Sequence, residues 1–247
     1  MTAPNCHNRN RCPVPDPVGS TLLPTVALEP GTSLYTVYGL AWSHHLFNES
    51  GGGDARFSPI FDDGTPVAHL YGARNPVGAL LETALHELRP ASRRVSSSSD
   101  LAGRGLRRFE APKRLLLADL RDTALERIGL SRDQIASTSA AHYPCTREWA
   151  VRVRAMRPGG RPLAGILWNS RVAELAGDLA RPTVAALLDS DASEVCVLWA
   201  DRIERGGKGG VGLDYSVVDL HATLAAGSGL DLVRDLVVNQ LGGLVDD

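Results

Sequence analysis

The sequence predicts an α+β fold carried by a single domain over residues 31–247, behind a proline-rich N-terminal arm over residues 1–30. Three observations lead there. Short runs rich in β-branched and aromatic residues alternate irregularly with segments of helical spacing. No stretch repeats, and no linker-like composition divides one folded part from another. Hydrophobic residues make up 43% of the 247 and charged residues 22%, which is ordinary usage for a chain that buries a sizeable core.

In the first thirty positions, Pro4, Pro13, Pro15, Pro17, Pro24 and Pro30 oppose both helix and sheet, so an extended, flexible arm is expected. Residues 34–40 (LYTVYGL) are rich in β-formers and read as the first strand. A polar loop follows and closes with Gly51, Gly52 and Gly53, directly before Arg56. Residues 67–71 read as a second strand, and Gly72 ends it.

Asn75 and Pro76 then supply a cap and a proline at the first helical position. Apolar residues at Val77, Leu80, Leu81, Ala84, Leu85 and Leu88 keep helical spacing, and Pro90 lies past the end. The serine- and arginine-rich stretch 92–108 reads as a solvated basic loop. Further strands are expected at 114–120, 165–168 and 195–199. Helices are expected near 123–128, 146–156 and 230–241.

Charge and cysteine usage narrow the function classes. A net charge of −2 offers no broad basic field for nucleic acid, so direct nucleic-acid binding is not expected. The four cysteines form no CxxC pair; Cys6, His7 and Cys12 fit no standard zinc spacing. Free thiols and no metal are therefore expected, and His44, His45 and Glu49 do not alter that. The glycine-rich run around Lys208 lacks the Lys-Ser/Thr pair of a phosphate loop and reads as a plain loop. No leader-like apolar segment and no run approaching ~18 apolar residues is present, so a cytoplasmic protein without a membrane span is expected.

Four residues have side chains suited to a nucleotide sugar. Arg56, after flexible glycines, has the planar fork that grips phosphate. Tyr71 offers an aromatic face and a hydroxyl. Glu82 can stabilise positive charge on a sugar as a glycosidic bond breaks. It lies roughly 130° from the centre of its helix's apolar stripe, at ~100° per residue, which taken alone is a solvated position. Ser170 can donate to phosphate or ribose.

The order of these residues resembles the RES domain family, named for its Arg, Glu and Ser. The resemblance runs through Arg56-Phe57-Ser58-Pro59, then Tyr71, then Ala79-Leu80-Leu81-Glu82 with His86 one turn on. It continues through residues 115–120, Tyr143 with Thr146-Arg147-Glu148-Trp149-Ala150, and Gly165-Ile166-Leu167-Trp168-Asn169-Ser170-Arg171. It covers residues 34 to 203. Many relatives carry an arginine in the first strand where this chain has Thr36; Arg74 or Arg171 is a candidate replacement.

The resemblance implies an ADP-ribosyltransferase-like mixed core, with small β-sheets flanked by helices. It implies an enzyme that cleaves the nicotinamide–ribose bond of NAD+, a glycohydrolase or phosphorylase with water or inorganic phosphate as acceptor. Such proteins are toxins of toxin–antitoxin pairs, so a helix-turn-helix antitoxin is an expected partner. Arg56 would hold the pyrophosphate, Tyr71 the nicotinamide or its ribose, and Ser170 the nucleotide. Glu82 would stabilise the oxocarbenium-like ribose. Transfer of ADP-ribose to protein, or a weakened domain that only binds nucleotide or partner, remain the alternatives.

Overall fold

A computed structural model describes residues 6, 9–15, 23–43, 46–86, 94–96, 99–170, 193–203 and 216–246. Its strands in chain order are β1 (Thr25–Leu28), β2 (Ser33–Gly39), β3 (Phe61–Asp62), β4 (Thr65–Pro66), β5 (His69–Ala73) and β6 (Arg94–Ser96). They continue with β7 (Arg104–Glu110), β8 (Leu115–Asp119), β9 (Gly165–Asn169), β10 (Glu194–Trp199), β11 (Val217–His221) and β12 (Leu244–Asp246). The helices are α1 (Pro76–Glu82), α2 (Asp122–Arg127), α3 (Arg132–Ile135), α4 (Tyr143–Ala155), α5 (Ala200–Ile203) and α6 (Gly227–Arg234). The α+β class is as expected from the sequence. The sheet is larger than expected: eight strands in the order β1-β8-β9-β10-β5-β2-β7-β11, beside two small two-stranded pairs.

The centre of this sheet is apolar on both faces. Every residue of β10 (EVCVLW) is buried, as are the first four of β9. Val195, Val197 and Trp199 pack into one core and Cys196 and Leu198 into another, as the period-2 alternation of a strand requires. Continuous apolar runs of this kind belong to strands covered on both sides. The first core also takes Leu80 and Leu81 of α1 and Trp149 and Val153 of α4.

Three strands of the large sheet lie where none was expected. Within the segment read as a flexible arm, β1 pairs antiparallel with β8 between Pro24 and Pro30, and Cys6, Val14 and Leu23 are buried. Prolines at strand ends and in extended chain are compatible with docking, and these apolar side chains supply the reason to dock. Within the stretch read as a basic loop, β7 is an interior strand between β2 and β11. Its arginines masked an alternation in which Leu106 and Phe109 are core residues. Strand β11 extends the sheet beyond β7.

Helix α1 begins as expected: the Asn75 side chain accepts from the Gly78 N–H at 2.6 Å, with Pro76 in the first turn. It stops at Glu82, earlier than its apolar periodicity predicts, and residues 83–86 continue as turns. Asn75→Ala is expected to cost about 1 kcal/mol by removing this cap, read as a lower denaturant midpoint with an unchanged slope. The run around Lys208, His44, His45, His7 and Arg171 lie outside the described residues.

Candidate functional site

Strands β2 and β5 are neighbours in the sheet, yet their ladder register consists of the single pair Tyr35–Ala73. From there the two strands diverge, and a cleft of about 800 Å³ opens between them. That volume falls within the roughly 300–1,000 Å³ of small-molecule and cofactor sites. Its wall includes Thr36 and Tyr38 of β2, His69 and Tyr71 of β5, Glu82 at the end of α1, and Arg56. His86 and Tyr143 also line it, as do Gly52 and Gly53. Three of the four residues selected from sequence therefore share one cavity, and the fourth, Ser170, sits directly behind it.

Arg56 is buried, and its guanidinium is fixed by the protein itself. Its Nη1 donates to the Ile135 carbonyl at 3.1 Å and to Thr138 Oγ1 at 2.6 Å. The guanidinium carbon lies 5.2 Å from the centre of the Tyr143 ring, within cation–π range. The backbone is held too: the Thr146 hydroxyl donates to the Arg56 carbonyl, and Arg147 bonds Ala55 O and the Asp54 carboxylate. The Thr-Arg-x-Trp-Ala segment thus clamps the turn that carries Arg56.

Tyr71 is walled by aromatic groups. The Trp168 ring meets it edge-on with centroids 5.8 Å apart, and Phe57 packs against Trp168 at 4.9 Å. Its hydroxyl oxygen accepts from the Phe57 N–H at 3.1 Å and from Ser58 Oγ at 3.4 Å, which ties strand β5 to the Arg56 turn. Burial pushes the Tyr71 phenol up to about 12; the Ser58 and Phe57 hydrogen bonds and the nearby Arg56 oppose this, while Glu82 adds to it. Tyr71 is therefore a neutral phenol under ordinary conditions.

The unfolded chain releases this proton near 10 and the folded chain retains it to about 12. Stability from this group is thus complete below pH 10 and falls as pH rises from 10 to about 12. A chemical-denaturation series across that window is expected to show a shallower decline for Tyr71→Phe than for the wild-type chain. His69, beside Tyr71, has its pKa lowered by burial against a weaker opposing hydrogen bond with Val67 O, which favours the neutral imidazole.

Glu82 is half-buried rather than freely solvated, and its Oε2 accepts from Ser170 Oγ at 2.6 Å. Ser170 is fully buried at the end of β9 and is not part of the cleft wall. The direct nucleotide contact expected of it gives way to a second position in the site, holding the carboxylate from behind. Nearby, Nδ1 of His86 is buried without a hydrogen-bond partner among the described residues. A polar atom in that condition at a cleft wall is suited to a ligand contact.

Thr36 lies on the cleft wall, so the position where many RES proteins have arginine does face the cavity. Arg74 does not replace it: its guanidinium lies 3.9 Å from Glu194, within a group that includes Arg121 and Asp119. Arg107, read from the sequence as part of a solvated loop, is instead a buried cation packed on Tyr38, and it is not part of the cleft wall. It sits directly across from Thr36 in the β2–β7 ladder, and paired residues project to the same side. Its guanidinium stacks 3.5 Å from the Tyr38 ring centre and bonds Asp219 at 3.2 Å. The available signal was the position of Leu106 and Phe109 around it, which marks a strand and not a solvated run.

Together these features define an α+β protein with a preformed cleft lined by an arginine, a neutral phenol and a braced carboxylate. The RES domain family model matches residues 33–202. The chain belongs to the RES domain family. No curated protein matches it. Among solved structures, it is similar to the crystal structure of the M. tuberculosis MbcT–MbcA toxin–antitoxin complex. That similarity has a TM-score of 0.46 at 16% identity and covers 86% of this chain and 92% of that one. Among the described residues, no helix is long and apolar enough to cross a membrane.

Proposed function

We propose that the cleft binds NAD+ and breaks its nicotinamide–ribose bond, with water or inorganic phosphate taking the ribosyl group. The observation that carries this reading is the Glu82 carboxylate, braced by Ser170 in the same cleft as Arg56 and Tyr71. Nicotinamide leaves from a cationic ring, so bond breaking needs little acid assistance and no metal in this site. What it needs is a fixed negative charge where the ribose becomes positive, and an orientation that exposes the bond.

In this reading Glu82 stabilises the oxocarbenium-like ribose and Tyr71 lies against the nicotinamide or its ribose. Arg56 meets the pyrophosphate. His86 lines the same cleft, near the proposed ribose position. Ser170 acts through Glu82. Ser170→Ala is accordingly expected to lower kcat about 10- to 100-fold, with little change in KM, because one hydrogen bond to a charged group is lost. A rise in KM alone would return Ser170 to direct nucleotide binding.

The biological role that fits is a toxin that depletes NAD+, restrained by an antitoxin that blocks the cleft. Incubation of the purified chain with NAD+, with and without phosphate, tests the reaction. Nicotinamide with ADP-ribose indicates hydrolysis, and ADP-ribose-1″-phosphate indicates phosphorolysis. A labelled protein indicates ADP-ribosyl transfer. Absence of any product favours the other reading, a domain that binds nucleotide without turning it over, which Thr36 on the cleft wall supports.

A further inference from the structure

The segment before β1 carries Cys6 and Cys12, and the start of α4 carries His142 and Cys145. In the folded chain the three cysteines converge, and His142 lies beside Cys6. The sulfurs of Cys6, Cys12 and Cys145 lie within 4.8 Å of one another. The Cys12 and Cys145 sulfurs are 3.3 Å apart, and Nδ1 of His142 is 3.9 Å from the Cys6 sulfur. None of the three cysteines is in a disulfide; Cys6, Cys145 and His142 are buried, and Cys12 is partly so.

We propose that Cys6, Cys12, Cys145 and His142 form a structural zinc site that fastens the N-terminal segment to the start of α4. A tetrahedral zinc with Zn–S near 2.3 Å places its sulfurs about 3.8 Å apart, and a ring nitrogen slightly closer. The sulfur separations and the Cys6–His142 contact lie around that value, and His142 would turn towards Cys12 and Cys145 to complete the tetrahedron. Three thiolates and one imidazole are a closed structural donor set, and soft thiolates select zinc over the hard cations.

Each half of the site is also locally sensible. Cys6 and Cys12 flank a short 3-10 turn at Arg9–Arg11, which leaves room for both to bend towards one point. His142 and Cys145 are three residues apart at the beginning of a helix, and so lie on one side of it. Binding would deprotonate the three thiols and release their protons to solvent.

The site has a structural consequence for the cleft. Between and beside its two α4 ligands lie Tyr143, beneath the Arg56 guanidinium, and Thr146, which donates to the Arg56 carbonyl. On the other side of the junction, Trp149 Nε1 donates to the Pro15 carbonyl at 2.7 Å. A metal here would fix the helix start that holds Arg56.

The test is metal analysis of the full chain, purified without an affinity tag that binds metal. We expect about one zinc per chain by elemental mass spectrometry. The cobalt-substituted protein is expected to show an intense thiolate charge-transfer band and the visible transitions of tetrahedral cobalt. Cys12→Ser and His142→Asn are expected to lose the metal, whereas Cys196→Ala, in the sheet core, is expected to retain it. The wild-type count does not depend on any variant folding.

A wild-type chain carrying no metal, with all of its thiols titratable after unfolding, would overturn the proposal. So would a Cys12–Cys145 disulfide in a non-reduced digest, iron in place of zinc, or full zinc retention in both ligand variants. None of these readouts uses NAD+, so the zinc site and the proposed reaction stand or fall separately.

Discussion

Glu82→Gln is expected to leave the fold intact and to lower NAD+ turnover by a factor on the order of 10²–10³. The amide has the shape of the carboxylate and retains an oxygen to accept from Ser170 Oγ, so the brace at 2.6 Å survives. What disappears is the negative charge facing the cleft. A ribose that develops positive charge loses its counter-charge at the moment it needs it, while ground-state binding changes little. The signature is a collapse in kcat with KM nearly constant, measured by nicotinamide release, alongside an unchanged thermal midpoint. Full turnover by Glu82→Gln would remove this carboxylate from the mechanism.

Arg56→Lys should reduce kcat/KM by roughly 10- to 100-fold, mainly through a higher KM, since hydrogen bonds to a charged group are lost in both ground and transition states. Lysine retains the charge but not the planar fork. In this chain Nη1 of Arg56 is already committed to Ile135 O and Thr138 Oγ1. An ammonium can satisfy those inner acceptors or reach towards a pyrophosphate, but its compact head cannot brace against one wall while gripping at the other. Stacking on Tyr143 is weakened as well. Equilibrium binding of NAD+ to an Arg56→Lys, Glu82→Gln double variant isolates the binding component. Unaltered affinity there would contradict a phosphate-gripping role.

Much of the site was legible because its residues fall in short segments whose chemistry is local. Asn75-Pro76 announced the start of α1, and the helix placed Glu82 at its end. Phe57 and Trp168, which give the sequence motifs their apolar character, prove to be the packing that sets the Tyr71 ring. The contact of Ser170 with Glu82 was not legible, because only the folded chain brings the two together. Strand β7 was hidden for a related reason: arginines at 104, 107 and 108 suggest solvent, and the burial of Arg107 depends on Tyr38, Asp219 and the Ser43 carbonyl arriving from elsewhere. The thiol cluster escaped in the same way, since Cys6 and Cys12 lie far along the chain from Cys145.

The early parting of β2 from β5 after Tyr35 and Ala73 changes what the substrate would meet. An inner edge that would ordinarily be spent on a neighbouring strand is turned towards the cavity, so peptide N–H and C=O groups join the side chains as recognition surface. Main-chain groups survive every side-chain substitution. A side-chain change at residues 36–38 would therefore alter the charge offered to a bound molecule more than the main-chain shape it meets.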